Sequence, residues 1–233
     1  MSIETTVPKK NEIAFKWFNH YAGVTIKTPT KTLVIDPVDV NAKTFSTIDA
    51  ILITHEHYDH LDSPLVRRLQ ETTQCHILAD STSTRKLSSF IASDKLQEMT
   101  PGMETKIGDV TVRAEMCNHP PAASPVTFLI TSEDGFRVFH TADSLPFEEM
   151  KTIGSEHKPD MVFCTVGVAP GTSPKTGVEI VKLVKPKVAV PYHTASKDDL
   201  NRFCEALAKE ASKVQCLVAK LGNAYIVGKE KKK

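Results

Sequence analysis

The chain lacks several features that would have turned its reading elsewhere. No stretch is apolar for the roughly 20 residues that a bilayer span needs. Met1 to Asn11 has no apolar core of a secretory signal. These two absences place the expected protein in the cytoplasm, with no membrane partner. Cysteine is sparse: Cys75, Cys117, Cys164, Cys204 and Cys216 are scattered without paired spacing. That scatter argues for small buried thiols in a reducing compartment rather than a disulfide set. Net charge is nearly absent, formally +1, so no global basic field calls for nucleic acid. Low-complexity segments and short repeats are missing as well. What remains is ordinary for a globular protein, with 40% hydrophobic and 24% charged residues.

Against this plain background one segment stands out, Thr54-His55-Glu56-His57-Tyr58-Asp59-His60. It places three of the nine histidines and one aspartate in six consecutive residues. It follows Ala50-Ile51-Leu52-Ile53, an apolar run that reads as a buried strand. A loop fed by a core strand is anchored, so four metal-ligand side chains on it are not explained by solvation alone. Neutral imidazole suits zinc and other borderline divalent ions, and a nearby carboxylate suits a hydrolytic or two-metal site.

A catalytic zinc takes three protein ligands and keeps one position open, so further donors must come from elsewhere. His119 follows the alternating run Val110 to Met116. Asp143 follows Phe136 to His140, and His193 follows Lys187 to Tyr192. Each sits just past a strand, and strand ends along one sheet edge can converge on one cleft.

This ordered set, His55-x-His57-x-Asp59-His60 and then His119, Asp143 and His193, resembles the metallo-β-lactamase-fold superfamily. The resemblance runs from about Phe15 to Val227 and takes in Ile35-Asp36-Pro37 and His140-Thr141-Ala142-Asp143. It extends to the small single-domain metal-dependent hydrolases that include L-ascorbate-6-phosphate lactonase. It implies an α/β (α+β) fold, a four-layer αββα sandwich of two mixed sheets flanked by helices. It implies two divalent metal ions, foremost Zn2+, with Mn2+, Fe2+ or Ni2+ as alternatives. His55, His57 and His119 would bind the first ion, Asp59, His60 and His193 the second, and Asp143 would bridge them. A hydroxide held between the ions would attack a small ester, lactone or phosphoester, with Asp59 and Asp143 as the catalytic carboxylates. One departure is Ala142, where relatives often carry glycine.

The rest of the chain supports mixed α and β structure. Strands are expected at Phe15–Phe18, Val24–Lys27, Leu33–Asp36, Ile51–Thr54, Cys75–Ala79, Val110–Met116, Val126–Ile130, Phe136–Phe139, Met161–Val166, Val188–Pro191, Val214–Val218 and Ala224–Val227. Helices are expected at Leu61–Gln70, Thr82–Ile91, Phe147–Ile153, Val178–Val184 and Asp198–Glu210. Ligands spread from His55 to His193 favour one domain over 1–228, with 229–233 as a charged, frayed tail. Asp36 is a candidate to orient a ligand histidine, and His140 reads as a buried, satisfied imidazole. The Thr172–Lys175 loop carries the hydroxyls of either an anion site or a plain helix cap. His20, in the turn before Gly23, is a weaker candidate near the site. Cys117 reads as a buried thiol.

The leading function is therefore a binuclear hydrolase acting on a small molecule. An iron-dependent redox enzyme on the same ligands is a second reading, although no flavin domain accompanies it. A nuclease is a third, although the gaps between ligands leave no room for a large inserted arm. A homo-oligomer is left open.

Overall fold

The computed structural model describes residues 2–229. Its first half builds β1 (Glu12–Trp17), β2 (Val24–Lys27), β3 (Thr32–Ile35), β4 (Ala50–Ile53), α1 (Ser63–Thr73), β5 (His76–Ala79), α2 (Ser81–Leu87) and β6 (Leu96–Glu98). The second half builds β7 (Glu104–Ile107), β8 (Val110–Met116), β9 (Val126–Thr131), β10 (Arg137–His140), α3 (Met150–Thr152), β11 (Met161–Thr165), α4 (Pro174–Val184), β12 (Val188–Tyr192), α5 (Lys197–Glu210), β13 (Gln215–Cys216) and β14 (Ala224–Gly228). A π-helical turn, Ile153–His157, continues α3.

Two seven-stranded sheets result, ordered β14-β1-β2-β3-β4-β5-β6 and β13-β12-β11-β10-β9-β8-β7. Each is mixed. In the first sheet β14, β1, β2 and β3 pair antiparallel, and β3 to β6 pair parallel. In the second, β7 to β10 pair antiparallel and β10 to β13 parallel.

Side-chain alternation explains the layering. Successive strand residues point to opposite faces of a sheet. Ala50, Leu52 and Leu78 turn inward and join Val112, Phe128, Val138 and Phe163 in the core between the sheets. Ile51, Ile53, Ile77 and Ala79 turn outward, under Leu65, Val66 and Leu69 of α1 and Leu87 of α2. On the far side, α4 and α5 cover β11 and β12 with Val178, Val181, Phe203 and Leu207. A strand covered on both faces must be apolar throughout, which is why β4 reads Ala-Ile-Leu-Ile. Burying one such isoleucine is worth roughly 1.5–3 kcal/mol, so Ile53→Asp would open the layer under α1.

Local chemistry sets the ends of the helices. Asp62 accepts from the Leu65 backbone N–H at 2.9 Å, and Pro64 sits in the first turn of α1, where its missing donor costs nothing. Leu61 thus lies outside the helix expected to begin with it. Its N–H instead donates to the His57 carbonyl at 2.8 Å, closing the motif loop into a turn. The helix expected over Thr82–Ile91 stops at Leu87, and β13 is only two residues long. β6 and β7, half-exposed and partly polar, carry no readable pattern and were not expected.

The expectation of free thiols throughout is corrected at one pair. Cys204 of α5 and Cys216 of β13 form a disulfide, with 5.6 Å between their Cα atoms. The two are neighbours only once α5 folds back over the sheet edge, a proximity their 12-residue separation does not announce. Cys75, Cys117 and Cys164 are free. Among the described residues no helix is long and apolar enough to cross a membrane. Lys229, expected to begin a frayed tail, donates from its backbone to the Asn11 carbonyl at 3.0 Å. Residues 230–233 of that expected tail lie outside the described residues.

Candidate metal centre

The carboxyl ends of β4, β8, β10 and β12 deliver the donors to one place. The motif loop follows β4 directly, His119 lies three residues past β8, Asp143 three past β10, and His193 immediately follows β12. Two of these exits need an abrupt reversal of the chain. Ala142 and His193 take it with left-handed backbone, at φ +48 and +58. A non-glycine residue there costs about 1–2 kcal/mol. Ala142 is held in place because its N–H donates to His140 Nδ1 at 3.3 Å and its carbonyl accepts from the Tyr192 hydroxyl at 3.0 Å.

All seven expected donors come together, in two sets: His55, His57 and His119, and Asp59, His60, Asp143 and His193. In the first set His57 Nδ1 lies 3.2 Å from His55 Nε2 and 3.3 Å from His119 Nε2. Asp143 Oδ2 lies 3.8 and 3.7 Å from those same two Nε2 atoms. In the second set Asp143 Oδ1 is 3.1 Å from His60 Nε2 and 2.8 Å from His193 Nδ1. Asp59 Oδ2 is 3.7 Å from the Nε2 atoms of both His60 and His193. Asp143 therefore gives one oxygen to each set.

These spacings meet the demand of a metal. Donors about 2.1 Å from a tetrahedral zinc are about 3.4 Å apart, and the first set spans 3.2 to 3.8 Å. His60 Nε2, His193 Nε2 and Asp143 Oδ1 are buried without a hydrogen-bond partner. Leaving such atoms unpaired costs about 1–3 kcal/mol each, more for charged groups. An ion between them removes that cost.

Behind the donors a buried pair fixes the rings. The Thr54 hydroxyl donates to Asp36 Oδ2 at 2.7 Å. Its oxygen, 3.1 Å from His55 Nδ1, is then free to accept that ring's N–H. His60 Nδ1 lies 2.7 Å from Asp36 Oδ2 and donates to it. Both assignments follow from the bonding network, and both turn an Nε2 lone pair into the cluster. Thr165 Oγ1 lies 3.3 Å from His193 Nδ1 in a similar supporting place.

Electrostatics divide the histidines. Burial, reinforced by the His60 charge, holds His55 far below the usual imidazole range, and burial likewise lowers His119. Burial also opposes the charge on His60 and His193, but the Asp143 carboxylate outweighs it and raises both. Asp143 itself is pulled well below its ordinary value: burial pushes it up, and His60 and His193 overcome that push.

Other candidates fall into place. His140 is fully buried, its Nε2–H donates to the Ala22 carbonyl at 3.0 Å, and burial pushes it down to about 4. It is the satisfied core imidazole that its position implied. His20 is exposed and packs on Trp17 rather than in the cluster; its neighbour Tyr21 reaches the site, ring to ring with His193 at 6.2 Å. Burial pushes the Cys117 thiol up, away from thiolate chemistry. The Ser173 and Thr176 hydroxyls are spent on a capping box for α4, and Thr172 Oγ1 donates to the Ala169 carbonyl at 2.7 Å. Thr54, Thr165 and Tyr21 were not singled out from the sequence. Only Thr54 carried a signal, as the polar residue closing an apolar strand beside a histidine.

Comparison with known proteins agrees with this geometry. Residues 22–194 match the Beta-lactamase superfamily domain, and the chain belongs to that superfamily. Within it, the chain is 32% identical over 182 residues to a UPF0173 protein of Pyrococcus abyssi, across 76% of this chain and 81% of the relative. It is 28% identical over 207 residues to the UPF0173 metal-dependent hydrolase of Polynucleobacter asymbioticus, across 76% of this chain and 72% of that protein. A metallo hydrolase from Ignicoccus hospitalis shares the fold, with a TM-score of 0.79 at 19% identity over 94% of this chain and 100% of its own.

Proposed function

We propose that the protein is a binuclear metal-dependent hydrolase of a small ester, lactone or phosphoester. Superfamily membership and the names of the relatives support the coarse reading, a metal-dependent hydrolase. The observation that carries the binuclear reading is Asp143, whose two oxygens face two separate donor sets. His55, His57 and His119 would hold one ion, and Asp59, His60 and His193 the other, with Asp143 common to both. Three imidazoles with shared carboxylate suit zinc first, and manganese, iron or nickel by availability. Two such ions supply a nucleophilic water at neutral pH and polarise the oxygen of the scissile group.

The chain's own residues do the rest. Asp36 and Thr54 keep His55 and His60 oriented so that nothing reorganises during attack. Asp59, the carboxylate of the cluster with the most exposure, would accept the proton of the attacking water. Asp143 offsets positive charge from both sets at once.

The test is restoration. Metal-stripped protein should be inactive, and zinc or manganese should restore hydrolysis of at least one member of an ester, lactone and phosphodiester panel. Stoichiometry should approach two ions per chain. Bound metal with no hydrolysis of any member would refute the reading.

A further inference from the structure

Beside the metal centre lies an open cleft of about 670 Å³. Tyr21, Val38 and Leu61 line it, with Tyr58, Asp39 and Asp62. It adjoins the cluster, although none of the seven donors lines it. Tyr58 and Leu61 flank Asp59 and His60 in the chain, and the Tyr21 ring meets the His193 ring edge-on at 6.2 Å. Tyr58 is 82% exposed although it sits between two donor residues. Two more exposed apolar side chains, outside the cleft lining, lie near donors. Met116 ends β8 just before His119, and Val168 donates its N–H to the His193 carbonyl at 2.9 Å.

The cleft wall is built rather than incidental. Asn19, itself buried, accepts from the Tyr21 and Gly23 N–H groups at 3.1 and 2.9 Å and donates to the Val38 carbonyl at 2.9 Å. One side chain thus ties the Tyr21 turn to Val38. Trp17 Nε1 donates to the Tyr21 carbonyl at 2.8 Å and fixes the turn from the other side. A Cβ at Gly23 would meet Asn19 at 2.5 Å, so the turn closes tightly on its own anchor.

The lining is one-sided in charge. It has two carboxylates, of which Asp62 also caps α1, two phenol rings, aliphatic surface and Ser63 and Pro64 at the start of α1, and no lysine or arginine. Sites that hold phosphate or carboxylate groups use guanidinium, ammonium or clustered N–H donors. This one repels anions and offers aromatic faces, which favour apolar groups and organic cations.

We propose that the substrate is an uncharged or cationic carboxylic ester or lactone. Its apolar arm would rest between Tyr21 and Tyr58, and it would not be a phosphorylated molecule. The assignment rests on the hydrolase reading above and narrows it. Water adds to the carbonyl carbon, the acyl C–O bond breaks, and the departing oxygen takes a proton to give an acid and an alcohol. Discrimination against anions comes from Asp39 and Asp62.

Two experiments separate this proposal from the reading beneath it. First, metal-free full chain is titrated with benzyltrimethylammonium and with benzenesulfonate. The cation should bind at least about tenfold more tightly, and Tyr58→Ala, at an exposed site, should abolish most of that binding. Equal or tighter sulfonate binding overturns the proposal whatever the catalytic outcome. Second, zinc-loaded protein is given 4-nitrophenyl esters with neutral, cationic and anionic acyl arms of equal length, and bis(4-nitrophenyl) phosphate. The neutral and cationic esters should exceed the anionic one by about tenfold in kcat/KM. Asp39→Asn with Asp62→Asn should shrink that ratio severalfold. Preference for the anionic ester or the phosphodiester overturns the substrate class and leaves the hydrolase standing. Turnover of none of the four, nor of a neutral aryl-substituted lactone run beside them, overturns both.

Discussion

The first half of the chain and the second build the same arrangement by different means. Each runs through antiparallel strands into a run of four parallel ones, and each lays helices on its outer face. The first half brings its donors on a single loop, His55 to His60, braced from behind by one buried Asp36–Thr54 pair. The second half brings His119, Asp143 and His193 from three strand ends, two of them at left-handed turns beside or at the donor. Donors of the first half are therefore placed by local chain geometry. Those of the second are placed only when the whole sheet has its strands in order. Asp143, facing both donor sets, is where the two strategies meet.

The largest effect should come from removing that meeting point. Asp143→Ala should lower kcat/KM by about a thousandfold or more, because both sets lose a ligand and the site its central charge. Steady-state assays on the best substrate check this, with circular dichroism to confirm folding. If activity falls less than tenfold, the halves do not depend on a common bridge.

Two stability effects, each of about 3 kcal/mol, sharpen the contrast. Only the second half carries a disulfide. Closing a 12-residue loop is worth about 3 kcal/mol, so Cys204→Ser with Cys216→Ser should lower Tm by several degrees, read by calorimetry, with metal content unchanged. His140, by contrast, links the halves through Ala22. Its folded pKa is about 4 against 6.5 for the free imidazole. The unfolded chain therefore binds the extra proton, and stability falls as pH drops from 6.5 toward 4. The loss should reach about 3 kcal/mol. Denaturation of His140→Gln across that window should lack this part of the slope.

The smallest effect tests the bracing. Asp36→Asn should weaken metal affinity by about 10- to 100-fold. Both ions should be affected, since Thr54 and Asp36 together reach a histidine of each set. Thr165→Val touches only His193 and should weaken one ion by less. Competition titrations with a chromogenic chelator resolve the two steps.

The same contrast explains what could be read from the sequence. The first-half donors were legible because they lie in one short word, and β4 before them is a continuous apolar run. The second-half donors were legible as strand-end residues able to converge, and their assignment to one site came from the ordered set that resembles a superfamily. Asp36 was recognisable as a candidate brace, but its role depended on the parallel pairing of β3 with β4. The Cys204–Cys216 bond and Tyr21 were out of reach for the same reason, since each depends on elements meeting across the fold. Edge strands β6 and β7 were missed because half-exposed strands carry no strict alternation.

Anomalous diffraction at the zinc edge from zinc-loaded crystals tests the central claim most directly. The account predicts two peaks about 3.5–4 Å apart. One should sit against His55, His57 and His119, the other against Asp59, His60 and His193, each within bonding distance of a different oxygen of Asp143. A single peak, or two peaks of which only one touches Asp143, would contradict it.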